Sequence, residues 1–297
     1  MSGMLAHGTF DTIASLLKIR SGLAIGPDKL YLLDTRLSPI LKRHELPNLN
    51  VLAERLRGVR TESLAQEVVE AMTTNESLFF RDNKPFAHFR TESLPRLHAA
   101  RPRGAPLRIW SAAASSGQEA YSLAMIVAEL RASLGDRRVE IIGTDIAREQ
   151  ILRAREGLYS QFEVQRGLPI QMLVKYFTQV GELWQLNADI RGMVQHRQLN
   201  LLQDFSSLGV FDVIFCRNVL IYFDQETKAT IFERLVKQLE PDGMLILGAA
   251  ESVVGITDAF KPYPDKRGLY QSNPARTGRP VGGSTVPQSL KAVASAR

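Results

Sequence analysis

Between residues 105 and 270 the chain alternates short apolar runs with amphipathic stretches of helical spacing. The apolar runs are "PLRIWS", "RVEIIGTD", "GVFDVIFC" and "MLILGAAES", and the helical stretches include "GQEAYSLAMIVAELRASLG", "REQILRAREGLY" and "DQETKATIFERLVKQLEPDG". Parallel strands need a crossover that is usually a helix, and the helices then cover both faces of the sheet. The alternation therefore predicts an α/β fold with a doubly covered, mostly parallel sheet.

The flanking segments predict a different organisation. Residues 1–72 show helical periodicity without a β-rich run and predict an all-helical N-terminal domain. Residues 73–104 are predicted to be a linker and cofactor-contacting segment before the α/β domain at 105–270. The alternating pattern at about 178–198 predicts a small antiparallel β-subdomain inserted into that domain. Residues 271–297, rich in Pro, Gly, Ser and Arg without periodicity, predict a disordered tail.

The first strand leads into the first helix through seven small residues, Ser111 to Gly117. Ligands of such sheets bind beyond the carboxyl ends of the strands, where this loop would lie. Small side chains would let a ligand approach the backbone, although a tight turn needed only for packing has the same composition. The loop lacks the G-x-G-x-x-G pattern, and Glu119 at the start of the helix would repel a phosphate.

The second strand ends in Asp145, a position from which a carboxylate can accept both hydroxyls of a ribose. The alternative is that Asp145 only caps the helix that follows. Taken together, the loop, Glu119 and Asp145 favour a nucleoside cofactor without phosphates that has a cationic part. S-adenosylmethionine fits that description.

Charge and cysteine content limit the class of protein. The net charge of +6 favours an acidic partner, either nucleic acid or an acidic protein surface, unless the basic residues serve only solubility. One cysteine excludes an internal disulfide and indicates a reducing compartment, and the five histidines show no metal-ligand spacing. No secretory signal or apolar run of about 18 residues is recognised. We expect a cytoplasmic protein that is not itself a membrane protein.

Five motifs, in this order and spacing, resemble those of the chemotaxis receptor methyltransferase (CheR) family: "TTNESLFFRD", "WSAAASSGQEAYSLA", "GTDI", "LNLL" and "FDVIFCRNVLIYFD". "LEPDGMLILGAAES" is similar to the family's closing unit, and the resemblance covers about residues 10–270. It implies a helical N-terminal domain on a Rossmann-like class I methyltransferase domain with a small inserted antiparallel β-subdomain. It also implies S-adenosyl-L-methionine as cofactor, S-adenosyl-L-homocysteine as product, and no metal.

The resemblance further implies the activity and the site. Family members methylate glutamate side chains on the cytoplasmic signalling domain of transmembrane chemoreceptors, which tunes receptor adaptation. Ser77 stands where the family usually has threonine, and Gln118 and Ala120 replace the acid and proline of the "GEEP" version. Motif matching places the cofactor contacts at Asn75, Ser77, Arg81, Glu119, Asp145, Asn200, Leu201, Cys216 and Arg217.

The implied chemistry needs few catalytic groups. A glutamate carboxylate, with a pKa of about 4.3, is ionised at neutral pH and requires no general base. We predict that Arg81 and Tyr222 are the catalytic residues and orient the substrate carboxylate or the methionine end of the cofactor, while Glu119 and Asp145 hold the cofactor. Alternatively, Arg81 is a surface charge beside Asp82 and Tyr222 an ordinary core residue.

The second predicted helix carries Arg36, Lys42 and Arg43, which we expect to contact the rows of glutamates on receptor methylation helices. In some family members the β-subdomain docks a short peptide at the receptor's C-terminus. The turn in "YFTQVGELWQL" is short beside those versions, and we expect direct engagement of the receptor helices without a peptide tether.

Three other functions fit the residues less well. A nucleic-acid methyltransferase would suit the charge, but an N/D-P-P-Y-type pocket for a flipped base is missing at "CRNVLIYF", so no nucleic-acid partner is expected. A binding module without turnover is disfavoured by the presence of Arg81, Arg217 and Tyr222. A nicotinamide oxidoreductase is disfavoured by the absence of the phosphate-binding glycines.

Overall fold

The computed structural model describes residues 8–277. Its N-terminal part is helical, as predicted, and its helices enclose a core of aliphatic side chains. The α-helices of this part are α1 (Thr9–Ser21), α2 (Leu30–Arg43), α3 (Leu49–Leu56) and α4 (Glu62–Met72). Gly22 ends α1 in the left-handed conformation (φ 77°) and donates its N–H to the carbonyl of Lys18, a cap that glycine adopts without a steric penalty.

The segment predicted as a linker is part of the α/β domain. Residues 73–83 have no regular secondary structure, and α5 (Lys84–His88), a π-helical turn (Phe89–Ser93) and α6 (Leu94–Ala100) follow. Its four phenylalanines are buried in one core with residues of the main sheet; they are Phe79, Phe80, Phe86 and Phe89. Charged residues lie between these phenylalanines in the sequence, and for this reason the sequence pattern of the segment resembles that of a linker.

The described residues form ten strands in two sheets, and in the larger sheet β10 runs antiparallel to both of its neighbours, β8 and β9. The strands are β1 (Leu107–Ala112), β2 (Val139–Asp145), β3 (Leu158–Ser160), β4 (Phe177–Val180), β5 (Leu183–Leu186), β6 (Val194–Gln198), β7 (Phe211–Cys216), β8 (Leu239–Leu247), β9 (Phe260–Pro262) and β10 (Leu269–Ser272). The order of the larger sheet is β6-β2-β1-β7-β8-β10-β9, and its first five strands are parallel. The mostly parallel sheet is therefore confirmed.

Alternate residues along the central strands belong to two different cores. Ile109 and Phe215 pack in one core, and Trp110 and Ile214 pack in the other. Helices complete both cores, as the α/β prediction requires. The remaining α-helices are α7 (Gln118–Glu129), α8 (Arg131–Leu134), α9 (Arg148–Glu156), α10 (Gln161–Gln165), α11 (Ile170–Tyr176), α12 (Ala188–Arg191), α13 (Gln225–Leu235) and α14 (Pro274–Thr277).

The small antiparallel sheet exists, but its predicted bounds of about 178–198 are wrong. It has the order β3-β5-β4 and spans residues 158–186. Strand β6, which we expected to complete an antiparallel hairpin, instead pairs in parallel with β2 at the edge of the main sheet. The segment that forms the small sheet and the segment that forms strand β6 both alternate apolar and polar residues, because each has one exposed face. Periodicity alone therefore does not show which strand pairs with which.

The C-terminal prediction is partly wrong. Residues 269–272 form β10 and residues 274–277 form α14, so order extends beyond residue 271. The rest of the predicted disordered tail, 278–297, lies outside the described residues. Within residues 8–277, no helix is both long and apolar enough to cross a membrane.

Candidate active site

An open cavity lies at the carboxyl edge of β1, β2 and β7, with about 940 Å³ of empty space that includes the solvent at its mouth. Its wall comes from five separate parts of the α/β domain, namely residues 73–81, the β1–α7 loop with the first turn of α7, the end of β2 with Ile146, residues 199–201 and residues 217–223. Ser21 and Leu23 of the N-terminal domain complete it. A parallel sheet brings these distant segments together because the carboxyl ends of its strands meet at one edge.

The small-residue loop between β1 and α7 forms one wall of this cavity. Ala113 (φ 62°) and Ser115 (φ 50°) both line the cavity in the left-handed conformation. The Ser115 hydroxyl donates to the carbonyl of Asn75 at 2.8 Å and so ties the loop to the segment opposite. A Cβ at Gly117 would lie 2.9 Å from the Tyr121 ring. The loop is therefore both strained and close-packed, which is common at binding sites.

Asp145 lies at the end of β2, faces the cavity and is 6% exposed. Its two carboxylate oxygens accept one backbone N–H each, from Ser115 at 2.8 Å and from Ala147 at 2.9 Å. Burial raises the pKa of Asp145, and these hydrogen bonds oppose that effect by stabilising the anion. Asp145 therefore holds the start of the next helix and keeps acceptor capacity toward the cavity, which leaves the predicted ribose-binding role compatible with its helix-capping role.

Glu119 and Arg217 form a buried ion pair across the cavity wall. Arg217 Nη1 donates to Glu119 Oε2 at 2.9 Å, and the Ser111 hydroxyl donates to Oε1 at 2.8 Å. The second terminal nitrogen of Arg217 donates to the carbonyl of Arg81 and to Asp82 Oδ2. The Arg217 side chain is 1% exposed. This network fixes the Glu119 carboxylate and holds residues 81–82 against β7.

The segment that precedes α5 brings Asn75, Ser77 and Arg81 to the cavity. Arg81 is partly exposed and donates to the carbonyl of Glu76 at 3.1 Å, so its guanidinium has further donors available. The Glu76 carboxylate pairs at 2.9 Å with Arg166, which follows strand β3 of the small sheet. The structure therefore places the predicted catalytic arginine in the cavity wall.

Tyr222, the second predicted catalytic residue, also lines the cavity and is partly buried. It ends the short 3-10 helix Leu220–Tyr222, and its carbonyl accepts the N–H of Ala24 at 2.9 Å. Leu23 and Phe223 form a β-bridge beside this bond. The N-terminal domain is therefore joined directly to the segment that carries Tyr222.

Asn200 and Leu201 both line the cavity. The Asn200 amide donates to the carbonyl of Arg20 at 2.6 Å and accepts the N–H of Leu202 at 2.9 Å. Cys216 differs from the other predicted contacts, because its side chain is fully buried in the core and the residue does not line the cavity. Burial raises the pKa of the Cys216 thiol well above its usual value.

The three basic residues predicted to contact a receptor have different environments. Arg36 donates to the carbonyls of Met72 and Thr73 and to the hydroxyl of Thr74, so its guanidinium holds the chain that enters the cavity wall. Arg43 is exposed and pairs with Glu67 at 2.9 Å. Lys42 is exposed as well.

Several residues around the cavity were not predicted. Val219 lines it beside Asn218, and Glu251 lies behind these two residues and accepts four backbone N–H groups. A signal for Glu251 was present, because the acid follows the apolar run "MLILGAAES" much as Asp145 ends "RVEIIGTD". The contributions of Ser21 and Leu23 had no local signal, since they depend on how two domains pack.

No group of three or more His, Cys, Asp or Glu side chains within residues 8–277 is arranged to hold a metal ion. The polar groups of the residues that line the cavity are carboxylates, amides, hydroxyls and the guanidinium groups of Arg81 and Arg217.

Comparison with known proteins identifies the family. Residues 75–269 match the family described as "CheR methyltransferase, SAM binding domain", where SAM is S-adenosylmethionine, and residues 8–73 match "CheR methyltransferase, all-alpha domain". The chain is 40% identical to "Chemotaxis protein methyltransferase 1" of Pseudomonas aeruginosa, over 86% of this chain and 94% of that one. It is 37% identical to "Chemotaxis protein methyltransferase Cher2" of Pseudomonas putida, over 89% and 97%. It is 38% identical to "Chemotaxis protein methyltransferase 1" of Vibrio cholerae, over 82% and 89%. The chain therefore belongs to the CheR family of S-adenosylmethionine-dependent chemotaxis methyltransferases.

Proposed function

We propose that this protein is a protein-glutamate O-methyltransferase that acts on the cytoplasmic signalling domain of transmembrane chemoreceptors. It would form glutamate methyl ester and S-adenosyl-L-homocysteine and thereby tune receptor adaptation. The observation that carries the proposal is a single cavity that combines two buried carboxylates, Glu119 and Asp145, with Arg81 and Tyr222. The carboxylates suit a cationic nucleoside, and the arginine suits an anionic side chain.

The donor set fits S-adenosyl-L-methionine. Asp145 has no cationic partner within residues 8–277, and its remaining lone pairs can accept hydroxyl donors. Glu119 is held rigid by Ser111 and Arg217. We assign the cofactor contacts to the side chains of Asn75, Ser77, Arg81, Glu119, Asp145, Asn200, Leu201 and Arg217, and not to Cys216, which does not line the cavity.

The residues of the site mainly orient and desolvate the substrate. S-adenosyl-L-methionine supplies a sulfonium methyl group, whose transfer to a carboxylate oxygen cancels both charges. Leu23 and Val219 exclude water from the cavity wall, and partial desolvation favours a transition state of dispersed charge over charged reactants. Arg81 and Tyr222 orient the incoming carboxylate, which needs no general base because it is already ionised.

The receptor is engaged directly in this proposal. Lys42 and Arg43 offer exposed positive charge on α2 to acidic receptor helices, whereas Arg36 positions residues 72–74. The β4–β5 turn contains only residues 181–182, and this short turn supports engagement without a peptide tether.

Incubation with methyl-labelled S-adenosyl-L-methionine and a receptor signalling domain, followed by alkali, tests the proposal. Carboxyl methyl esters release volatile methanol, whereas methylated bases and N-methyl amino acids keep the label. Arg81→Ala should reduce transfer strongly, and Arg103→Ala, an exposed arginine before β1 at the opposite edge of the sheet, should not. The assignment of Arg81 fails if Arg81→Ala leaves both cofactor affinity and methyl transfer intact, and alkali-stable label would refute the ester.

A further inference from the structure

We propose that Glu251 is a positioning residue for methyl transfer, which holds the turn that presents Tyr222 to the cavity. The proposal rests on the function proposed above and extends it to a residue that does not itself line the cavity. Glu251 follows β8, next to the carboxyl end of β7, and is 8% exposed.

The Glu251 carboxylate is fully engaged by backbone donors. Oε1 accepts the N–H groups of Val219 at 2.9 Å and Leu220 at 2.7 Å. Oε2 accepts those of Asn218 at 2.8 Å and Gly248 at 2.7 Å. Three of these four donors belong to consecutive residues that lead into the 3-10 helix of Tyr222. One side chain therefore joins the ends of two neighbouring strands.

The turn needs such a partner. Asn218 has φ 59°, a conformation that non-glycine residues rarely adopt and that persists only where the surroundings impose it. The N–H groups at the start of a helix have no partner within the helix, and a buried N–H without a partner is unfavourable. Glu251 supplies both the acceptors and the constraint.

Close packing behind the turn leaves little space for it to adjust. A Cβ at Gly248 would lie 2.7 Å from Glu251 Oε2 and 2.8 Å from Nδ2, the side-chain nitrogen of Asn218. A small displacement of the Glu251 carboxylate would therefore be passed to Asn218 and, through the 3-10 helix, to Tyr222. Misplacement of a substrate-orienting group by about 1 Å can reduce a rate by about a hundredfold.

Glu251→Gln is the test, because its amide keeps the shape of the side chain but turns an NH₂ group toward two of the N–H donors. We expect kcat for receptor methylation to fall about tenfold to a hundredfold. The affinity for S-adenosyl-L-homocysteine, measured by calorimetry, should change less than about threefold, since the side chains assigned to the cofactor do not bond to Glu251. Glu251→Asp, which keeps the charge, should have an intermediate kcat and also serves if Glu251→Gln does not fold.

A double-variant cycle separates positioning from stability. Tyr222→Phe should lower kcat in the wild-type background but add less than about twofold to the effect of Glu251→Gln, because Tyr222 is already misplaced there. Asp212→Asn is the matched control, since Asp212 is also buried and also accepts a backbone N–H, but at the opposite edge of the sheet. It should lower the free energy of unfolding without lowering kcat.

The proposal is overturned if Glu251→Gln retains wild-type kcat, or if Tyr222→Phe reduces kcat equally in both backgrounds. If the wild-type protein transfers no methyl group, the proposed function fails and the positioning contact is tested by NMR. The amide protons of Asn218, Val219 and Leu220 should shift upfield in Glu251→Gln, whereas unchanged amide shifts would refute the contact itself.

Discussion

Loss of the positive charge of Arg217 should destabilise the protein and its cofactor site together. Arg217→Met keeps most of the side-chain volume but removes the hydrogen bonds that Arg217 donates to Glu119, to the carbonyl of Arg81 and to Asp82. The exposed fractions are 1% for the Arg217 side chain and 11% for that of Glu119, so water cannot readily replace the lost partner. Asp82 is 42% exposed and can be solvated.

Most of the expected loss in the free energy of unfolding comes from Glu119, whose buried carboxylate loses its cationic partner. Removal of one partner of a buried ion pair leaves an uncompensated buried charge and costs about 3–5 kcal/mol. We expect the free energy of unfolding to fall within this range. The double variant Arg217→Met/Glu119→Gln removes both charges and should be less destabilised than the sum of the single variants by about 1–2 kcal/mol, because the buried carboxylate is gone.

Urea unfolding monitored by circular dichroism measures these differences, and calorimetry with S-adenosyl-L-homocysteine should show weaker binding by Arg217→Met. Arg166→Met is the matched control, because Arg166 pairs with Glu76 at the surface, where the side chains are 39% and 55% exposed. That change should cost no more than about 1 kcal/mol. Equal effects of Arg166→Met and Arg217→Met, or strict additivity in the double variant, would refute the reasoning.

Three further predictions concern other parts of the molecule. Burial lowers the pKa of His196 from 6.5 to about 4, so the unfolded chain binds the additional proton between these values. The free energy of unfolding should therefore fall by up to about 3 kcal/mol as pH decreases through this window, and His196→Gln should flatten that part of the stability profile. Lys42→Glu should slow receptor methylation at low salt and lose most of its effect at high salt, whereas Lys237→Glu, an exposed change before β8, should have neither effect. Cys216→Ala should leave the affinity for S-adenosyl-L-homocysteine within about twofold while lowering stability by about 1–2 kcal/mol, and a large loss of affinity would show that the thiol contributes to the site.

The location of the cavity was predictable because it depends on a general property of parallel sheets. Glu119, Asp145 and Arg217 are separated in the sequence, but each lies at or beyond the carboxyl end of a strand, and the sheet brings all three to one cavity. Their mutual geometry was not predictable. The pairing of Glu119 with Arg217, and its extension to Asp82, depends on the exact separation of β1 and β7 and on the course of residues 79–83.

Long side chains and edge strands account for most of the differences between the sequence-based predictions and the structure. Arg36 was predicted to face a receptor because arginine on a helix is usually solvated, but the start of the α4–α5 connection lies close enough to accept its hydrogen bonds. Strand β6 was assigned to the small sheet because its alternation fits either sheet. In both cases the local pattern is compatible with two partners, and only the tertiary fold selects one.

The same dependence on tertiary structure makes the N-terminal domain part of the cavity that we propose as the active site. Leu23 lines the cavity and pairs with Phe223, and the N–H of Ala24 binds the carbonyl of Tyr222. Lys18 pairs with Asp224 at 2.7 Å and continues this contact into the start of α13. A displacement of α1 would therefore be transmitted through hydrogen-bonded main chain to the residue we assign to substrate orientation. Because Glu251 holds the other end of the same turn, the helical domain and β8 together determine where Tyr222 lies.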